Sequence, residues 1–170
     1  AAGFVTMVAA NYLKPKESPD AWVVEVVNTM KMGDCDKLEK LLTSFFASIP
    51  YSQRRKDDER EKERYFQYTF YLVIRMISSF TVLIEKEQSE GRVDCIIETP
   101  MFVYIFEFKR DGSATEALKQ IEEKGYAREY ATDNRTIYLI GCNFSSKTGT
   151  IDDWKSKGKN LRKLRDFSDK

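Results

Sequence analysis

The sequence predicts an α/β fold: a mixed sheet built in the order helix, three-strand meander, helix, strand, with a helical segment ahead of it. Three observations predict it. Apolar residues recur at helical spacing through the first fifty residues and again over 65–77. From Phe80 the period changes to that of strands, in three short runs rich in β-branched and aromatic residues. A capping box then opens a further helix before a fourth apolar run. A strand that returns through a helix makes a crossover, so the sheet is mixed and helices cover its faces.

Each element has its own signal. Trp22, Val23, Val26, Val27 and Met30 form one helical stripe, and Leu38, Leu41, Leu42, Phe45 and Phe46 form a second. Between them Gly33-Asp34 can end one helix and cap the next. Gln53–Glu63 is almost entirely charged and reads as a solvated linker entering a helix. That helix carries Tyr65, Tyr68, Leu72 and Met76, its apolar face widened by Phe66, Phe70, Val73 and Ile77. The strands are expected at Phe80–Lys86, Arg92–Glu98 and Phe102–Lys109, with turns at Glu90-Gly91 and Thr99-Pro100. Ser113-Ala-Thr-Glu116 opens the next helix, which should run to about Tyr130, and Thr136–Phe144 is the last strand. The tail from Lys155 has seven Lys/Arg against two Asp and reads as a solvated, partly frayed helix.

Composition removes whole classes of chemistry. The 170 residues contain no histidine, which excludes a Ser-His-Asp triad, a Cys-His pair, a His-ligated zinc and a histidine general base. Three cysteines far apart, with no CxxC pair, argue against a disulfide framework and suit a reducing cytoplasm. The apolar opening Ala1–Ala10 is short and lacks a basic flank, so a signal peptide is not expected, and no apolar run is long enough to span a membrane. With 28 basic against 27 acidic residues there is no global field for nucleic acid, so such binding must use a local patch. Catalysis is left to carboxylates, Lys, Tyr or a metal on oxygen ligands.

The strand Tyr104-Ile-Phe-Glu-Phe-Lys109 places Ile105, Glu107 and Lys109 on one face and three aromatics on the other. It is the most apolar strand, so two charges are carried into a central position, at a cost of several kcal/mol per uncompensated ion. By itself an ExK pair reads as a salt bridge. Asp94 alters that reading. A four-residue loop over 99–102 makes paired residue numbers sum to 201, which sets Asp94 opposite Glu107 on the same face. Carboxylates that close repel unless a positive charge lies between them, supplied in part by Lys109 and more fully by a divalent cation. The reading depends on loop length, since a slip of one residue turns Asp94 to the other face. Glu85 and Glu98 read as edge or surface charges, and Arg92 as a phosphate contact or, more simply, a partner of Glu90.

At these residues the chain resembles the PD-(D/E)XK nuclease superfamily: Gly91-Arg-Val-Asp94, then Glu107-Phe-Lys109, then Glu116-Ala-Leu-Lys-Gln-Ile-Glu-Glu-Lys-Gly-Tyr126. More narrowly it resembles the C-terminal nuclease-like domain of bacterial AAA-ATPase-like proteins, through Ile49-Pro-Tyr51, Glu63-Arg-Tyr-Phe-Gln67, Gly141-Cys-Asn-Phe144 and Ile151-Asp-Asp-Trp154. The resemblance implies a restriction-endonuclease-like core over 56–154, a helical leader over 1–55 packed on it, and a basic tail over 155–170. It implies that Asp94, Glu107 and Lys109 are the catalytic triplet, with Asp94 and Glu107 holding Mg²⁺ or Mn²⁺. Glu63 would be an accessory carboxylate of the first core helix, and Gln120 a helix residue pointing into the site. The proline of the family name is Val93 here, and the Gln120 to Tyr126 spacing departs from the QxxxY pattern, so Tyr126 is not carried over. The implied function is metal-dependent hydrolysis of phosphodiester bonds, of DNA, in the cytoplasm, beside an N-terminal AAA-ATPase-like domain. The rival is a non-catalytic module using the same fold to bind nucleic acid or its ATPase partner.

Overall fold

A computed structural model describes residues 19–48, 70–71, 74–75, 80–88 and 91–159. The chain divides into two compact units, Ala1–Ser79 with Phe144–Asp152, and Phe80–Asn143 with Asp153–Lys170.

In the first unit, α1 (Pro19–Met32) and α2 (Cys35–Ser48) form a helical pair. Gly33 takes φ +73° and ends α1, a conformation that costs glycine little. Asp34 starts α2, its Oδ1 accepting from Lys37 N at 2.9 Å. Trp22, Val26 and Met30 are buried, as are Leu38, Leu42, Phe45 and Phe46, and Trp22 stacks on Phe45 at 4.9 Å. Each such side chain contributes on the order of 1.5–3 kcal/mol by leaving water. Of the expected helix over 65–77, Phe70, Tyr71, Ile74 and Arg75 are described and are helical, the first three buried and Arg75 exposed. The charged stretch 53–63, Glu63 included, lies outside the described residues.

The second unit is organised by a five-stranded sheet in sequence order: β1 (Thr81–Gln88), β2 (Gly91–Glu98), β3 (Phe102–Arg110), β4 (Thr136–Phe144) and β5 (Ile151–Lys159). The first four strands fall where the alternating pattern puts them, within one or two residues at their ends. One helix, α3 (Ala114–Glu123), connects β3 to β4 and packs on β3. Its contact with the sheet holds Val93, Ile96, Val103, Ile105, Ile121, Tyr126, Tyr130, Ile137 and Leu139 in one buried cluster. At Gly141 of β4 an added Cβ would lie 2.2 Å from the Ala114 carbonyl oxygen, so only glycine admits α3 at this distance. The architecture is a mixed sheet flanked by helices, consistent with the α/β fold expected.

Two elements differ from expectation. Helix α3 stops at Glu123 rather than running to Tyr130. Gly125, at φ +64°, turns the chain: its N–H bonds to Glu122 O and the Tyr126 N–H to Ile121 O, both at 3.2 Å, which is a Schellman ending. A short 3₁₀ turn, Arg128–Tyr130, follows, and Tyr126 and Tyr130 join the core. The second correction concerns the basic tail, whose described part is strand and not frayed helix. Lys155, Lys157 and Lys159 alternate along β5 and reach α3, Lys155 at Thr115 Oγ1 (2.7 Å) and Lys157 and Lys159 at Glu122 (2.7 and 3.7 Å). Trp154 points to the opposite face, edge-on to Phe106 at 5.9 Å. A period of two was hidden in what reads as a charge run, and lysines on the last strand also discourage pairing with another chain.

Candidate active site

The β2–β3 hairpin is closed by Thr99, whose N–H bonds to Phe102 O at 2.8 Å. Its Oγ1 accepts from Met101 N at 3.3 Å and Phe102 N at 2.9 Å. The resulting register is Glu98↔Val103, Ile97↔Tyr104, Ile96↔Ile105 and Cys95↔Phe106, the register the loop length predicts. The next position would pair Asp94 with Glu107. There the ladder stops, and Asp94 Oδ2 accepts from the Phe108 N–H at 2.9 Å.

The other side of β2 is interrupted at the same residue. The β1–β2 ladder runs from Thr81↔Glu98 to Ile84↔Cys95 and resumes at Lys86↔Val93, omitting Glu85 and Asp94. Glu85 adopts φ +48°, a left-handed conformation that costs a non-glycine residue on the order of 1–3 kcal/mol. Face alternation shifts there too. Ile96 and Leu83 lie in the same cluster as Val93, although 93 and 96 would face opposite ways in a regular strand. Beyond the shift, Gln88 reaches Tyr126 O at 3.4 Å and Lys86 reaches the Glu129 carboxylate. Glu85 is thus an exposed edge carboxylate, as read from sequence, and its backbone lies where the β1–β2 ladder skips Asp94.

Glu107 is 3% exposed and sits in the middle of β3. Its Oε1 accepts from Gln120 Nε2 and, at 3.4 Å, from Lys109 Nζ. Lys109 Nζ also donates to Gln120 Oε1 at 2.6 Å, so Gln120 bridges the acid and the base. Glu107 Oε2 is buried and has no hydrogen-bond partner among the described residues. Burial, and then the charge of Asp94, push the Glu107 carboxyl up to about 8; Lys109 and Gln120 only partly offset this. Oxygen donors, one of them buried and orphaned, with two carboxylates against one lysine, form a donor set that fits a hard divalent cation.

The structure therefore brings Asp94, Glu107, Lys109 and Gln120 together, while Glu63 lies outside the described residues. No group of three or more His, Cys, Asp or Glu side chains gathers as a metal cluster among the described residues. Tyr126 is a core residue beside Gly91, whose added Cβ would lie 3.3 Å from the phenol oxygen. Glu98 is more than a surface charge. It binds Arg135 at 2.8 Å and Tyr130 OH at 3.1 Å, while Arg135 also grips Asp133 at 2.6 Å. The side chain of Arg92 and all of Glu90 lie outside the described residues. Sequence reasoning gave no individual role to Asn143 and Asp153, which hold the β3–α3 junction. Asn143 Oδ1 accepts from Gly112 N at 2.9 Å and Asp153 Oδ2 from Ala114 N at 2.8 Å. A polar residue ending an apolar strand was the available signal for Asn143.

Comparison with known proteins gives a family match that covers β1 to β4, α3 and the first part of β5. A family model described as the PD-(D/E)XK nuclease superfamily matches residues 61–154. A curated relative, "Uncharacterized protein in vnfD 5′region" of Azotobacter chroococcum mcd 1, is 32% identical over 129 residues. The aligned part is 75% of this chain and 25% of the relative, so the chain spans about a quarter of that protein's length. No solved structure matches the chain.

Proposed function

Because the chain belongs to the PD-(D/E)XK nuclease superfamily, we propose that it is a metal-dependent nuclease domain that hydrolyses phosphodiester bonds of DNA. The observation that carries this reading is the buried Oε2 of Glu107, without a partner among the described residues and placed where the β2–β3 ladder stops at Asp94. A structural salt bridge would have used that oxygen. Asp94 and Glu107 are the residues that would hold Mg²⁺ or Mn²⁺. When bound, such an ion polarises a phosphate oxygen and lowers the pKa of water.

The chain's own groups do the rest. Lys109, aimed by Gln120, brings a positive charge to the place where negative charge grows on the phosphoryl oxygens. Gln120 donates to Glu107 and accepts from Lys109, which keeps the carboxylate and the ammonium from collapsing into a closer pair. Asp94, held by the Phe108 N–H, keeps its carboxylate at the break in the sheet. Glu63 is assigned an accessory acidic role by family resemblance.

An AAA-ATPase-like domain in a longer polypeptide is the proposed partner, and the cytoplasm the proposed compartment. Among the described residues no helix is long and apolar enough to cross a membrane. The test is cleavage of circular and linear DNA with Mg²⁺, Mn²⁺ or EDTA, with and without Asp94→Asn. Metal-dependent cleavage lost in the variant supports the reading; DNA binding with no cleavage under any condition makes the domain a non-catalytic module.

A further inference from the structure

Lys109 and Gln120 belong to different elements, and their 2.6 Å contact depends on how β3 hands the chain to α3. The connection is three residues, Asp111–Ser113, with Asp111 at φ +52°. Two side chains from other strands seize its backbone. Asn143, buried at the end of β4, accepts the Gly112 N–H, and Asp153 of β5 accepts the Ala114 N–H at the first turn of α3. Ser113 caps the same helix from within, its Oγ accepting the Glu116 N–H at 3.1 Å. Over this junction the Gly141 surface admits the Ala114 carbonyl at a distance no side chain would permit.

Resting on the nuclease reading, we propose that Asn143 and Asp153 are positioning residues that set the α3 helix against β3, so that Gln120 meets both Glu107 and Lys109. Neither touches the reacting groups. An ordinary helix cap would need only Ser113, whereas these two acceptors arrive from β4 and β5 and tie the helix start to the sheet. A shift of α3 by a fraction of a turn would part Gln120 from Lys109 while leaving the fold intact.

The experiment follows the Gln120 side-chain amide by ¹H–¹⁵N NMR in Asp153→Ala, Asp153→Asn, Asn143→Ala and Ser113→Ala, alongside Mg²⁺-dependent cleavage. Asp153→Ala and Asn143→Ala should move the Gln120 amide toward a solvent-exposed shift. They should lower kcat by about 10- to 10²-fold with little change in KM, the scale of a misplaced catalytic group. Asp153→Asn retains an acceptor oxygen and should restore both signals. Ser113→Ala should lower the melting temperature without moving the Gln120 amide. If Asp153→Ala does not fold, Asn143→Ala carries the test, since it leaves the helix cap in place. An unmoved Gln120 amide in the folded variants overturns the proposal. So does an equal displacement in Ser113→Ala, because general loosening of the helix would then be the cause. Absence of cleavage in every protein, with the amide responding as described, removes the nuclease reading and leaves the positioning role standing.

Discussion

The two ends of the β2–β3 hairpin carry polar clusters built from the same residue types and of opposite character. At the turn end Glu98 and Asp133 share Arg135, with Tyr130 OH on Glu98 and Thr99 O on the guanidinium at 3.1 Å. At the far end Glu107 pairs with Lys109, Gln120 bridges the two, and the charge of Asp94 lies close enough to push the Glu107 carboxyl up. Each has two acids and one base. Arg135 presents a planar fork that engages both carboxylates and a carbonyl, and the acids stay about a quarter exposed, so the charges are met by protein and water. Lys109 is a point charge 3.4 Å from one oxygen of an acid that is almost fully buried, and the other oxygen has no donor among the described residues. Burial of a half-satisfied carboxylate destabilises a fold, so the comparison separates a cluster retained for architecture from one retained for binding.

Substitutions should divide along the same line. Asp94→Asn should abolish cleavage and most of the Mg²⁺-induced rise in melting temperature, while leaving metal-free stability unchanged or slightly raised, because it relieves repulsion. Lys109→Met should lower cleavage by roughly 10²-fold or more, the scale of losing an electrostatic stabiliser of the transition state. It should also reduce metal-free stability, with metal binding preserved. Melting curves in EDTA and in Mg²⁺, with a cleavage assay, check all of these; equal destabilisation by both variants with no change in the metal response would place this cluster with the architectural one.

Arg135→Met should do the reverse. It leaves Glu98 and Asp133 without their cation, at a cost of about 1–2 kcal/mol for groups this exposed. The melting temperature should fall by about 2–8 °C, with kcat unchanged at assay temperatures below the transition. Loss of cleavage in the folded variant would show that the turn end is coupled to the chemistry.

A smaller effect comes from pH. Glu107 holds its proton more tightly folded, up to about 8, than unfolded at 4.5. Its contribution to metal-free stability is therefore complete below about pH 4.5 and is lost as pH rises toward 8. Glu107→Gln has no such loss, so its advantage in melting temperature over the parent should widen from pH 5 to pH 8 in EDTA. A constant difference would mean that Glu107 titrates normally.

Most of this hairpin was legible in the sequence. Loop length and alternation alone predict the register that brings Asp94 to Glu107, and Ser113-Ala-Thr-Glu116 marks the start of α3. The break at Asp94 was not legible, and neither was the left-handed conformation of Glu85 across from it, which its residue type does not signal. The end of α3 was misread because apolar spacing continues through Tyr126 and Tyr130, while Gly125 had already turned the chain. Strand β5 was hidden by lysines, since an edge strand needs few apolar residues and its pattern resembles a solvated tail. The Arg135 cluster joins residues from β2, the turn after α3 and the loop leading into β4, a conjunction that exists only after folding.

The smallest expected effect concerns DNA affinity. Lys124 and Arg128 are exposed beyond α3, and Lys157 and Lys159 are engaged by Glu122. Alanine at Lys124 or Arg128 should each lower the slope of log affinity against log salt by about one, with less change on removing Lys157. A salt-independent affinity would exclude phosphate contacts as its source.

The central claim is that the orphaned Glu107 oxygen and Asp94 together form a cation site. Binding of Mn²⁺ at pH 7.5, read from loss of the free-ion EPR signal, tests it without requiring cleavage. One ion should bind per chain in the parent and in Arg135→Met, compete with Mg²⁺, and be lost in Asp94→Asn and Glu107→Gln. No bound ion in the parent, or undiminished binding in Glu107→Gln, would contradict the claim.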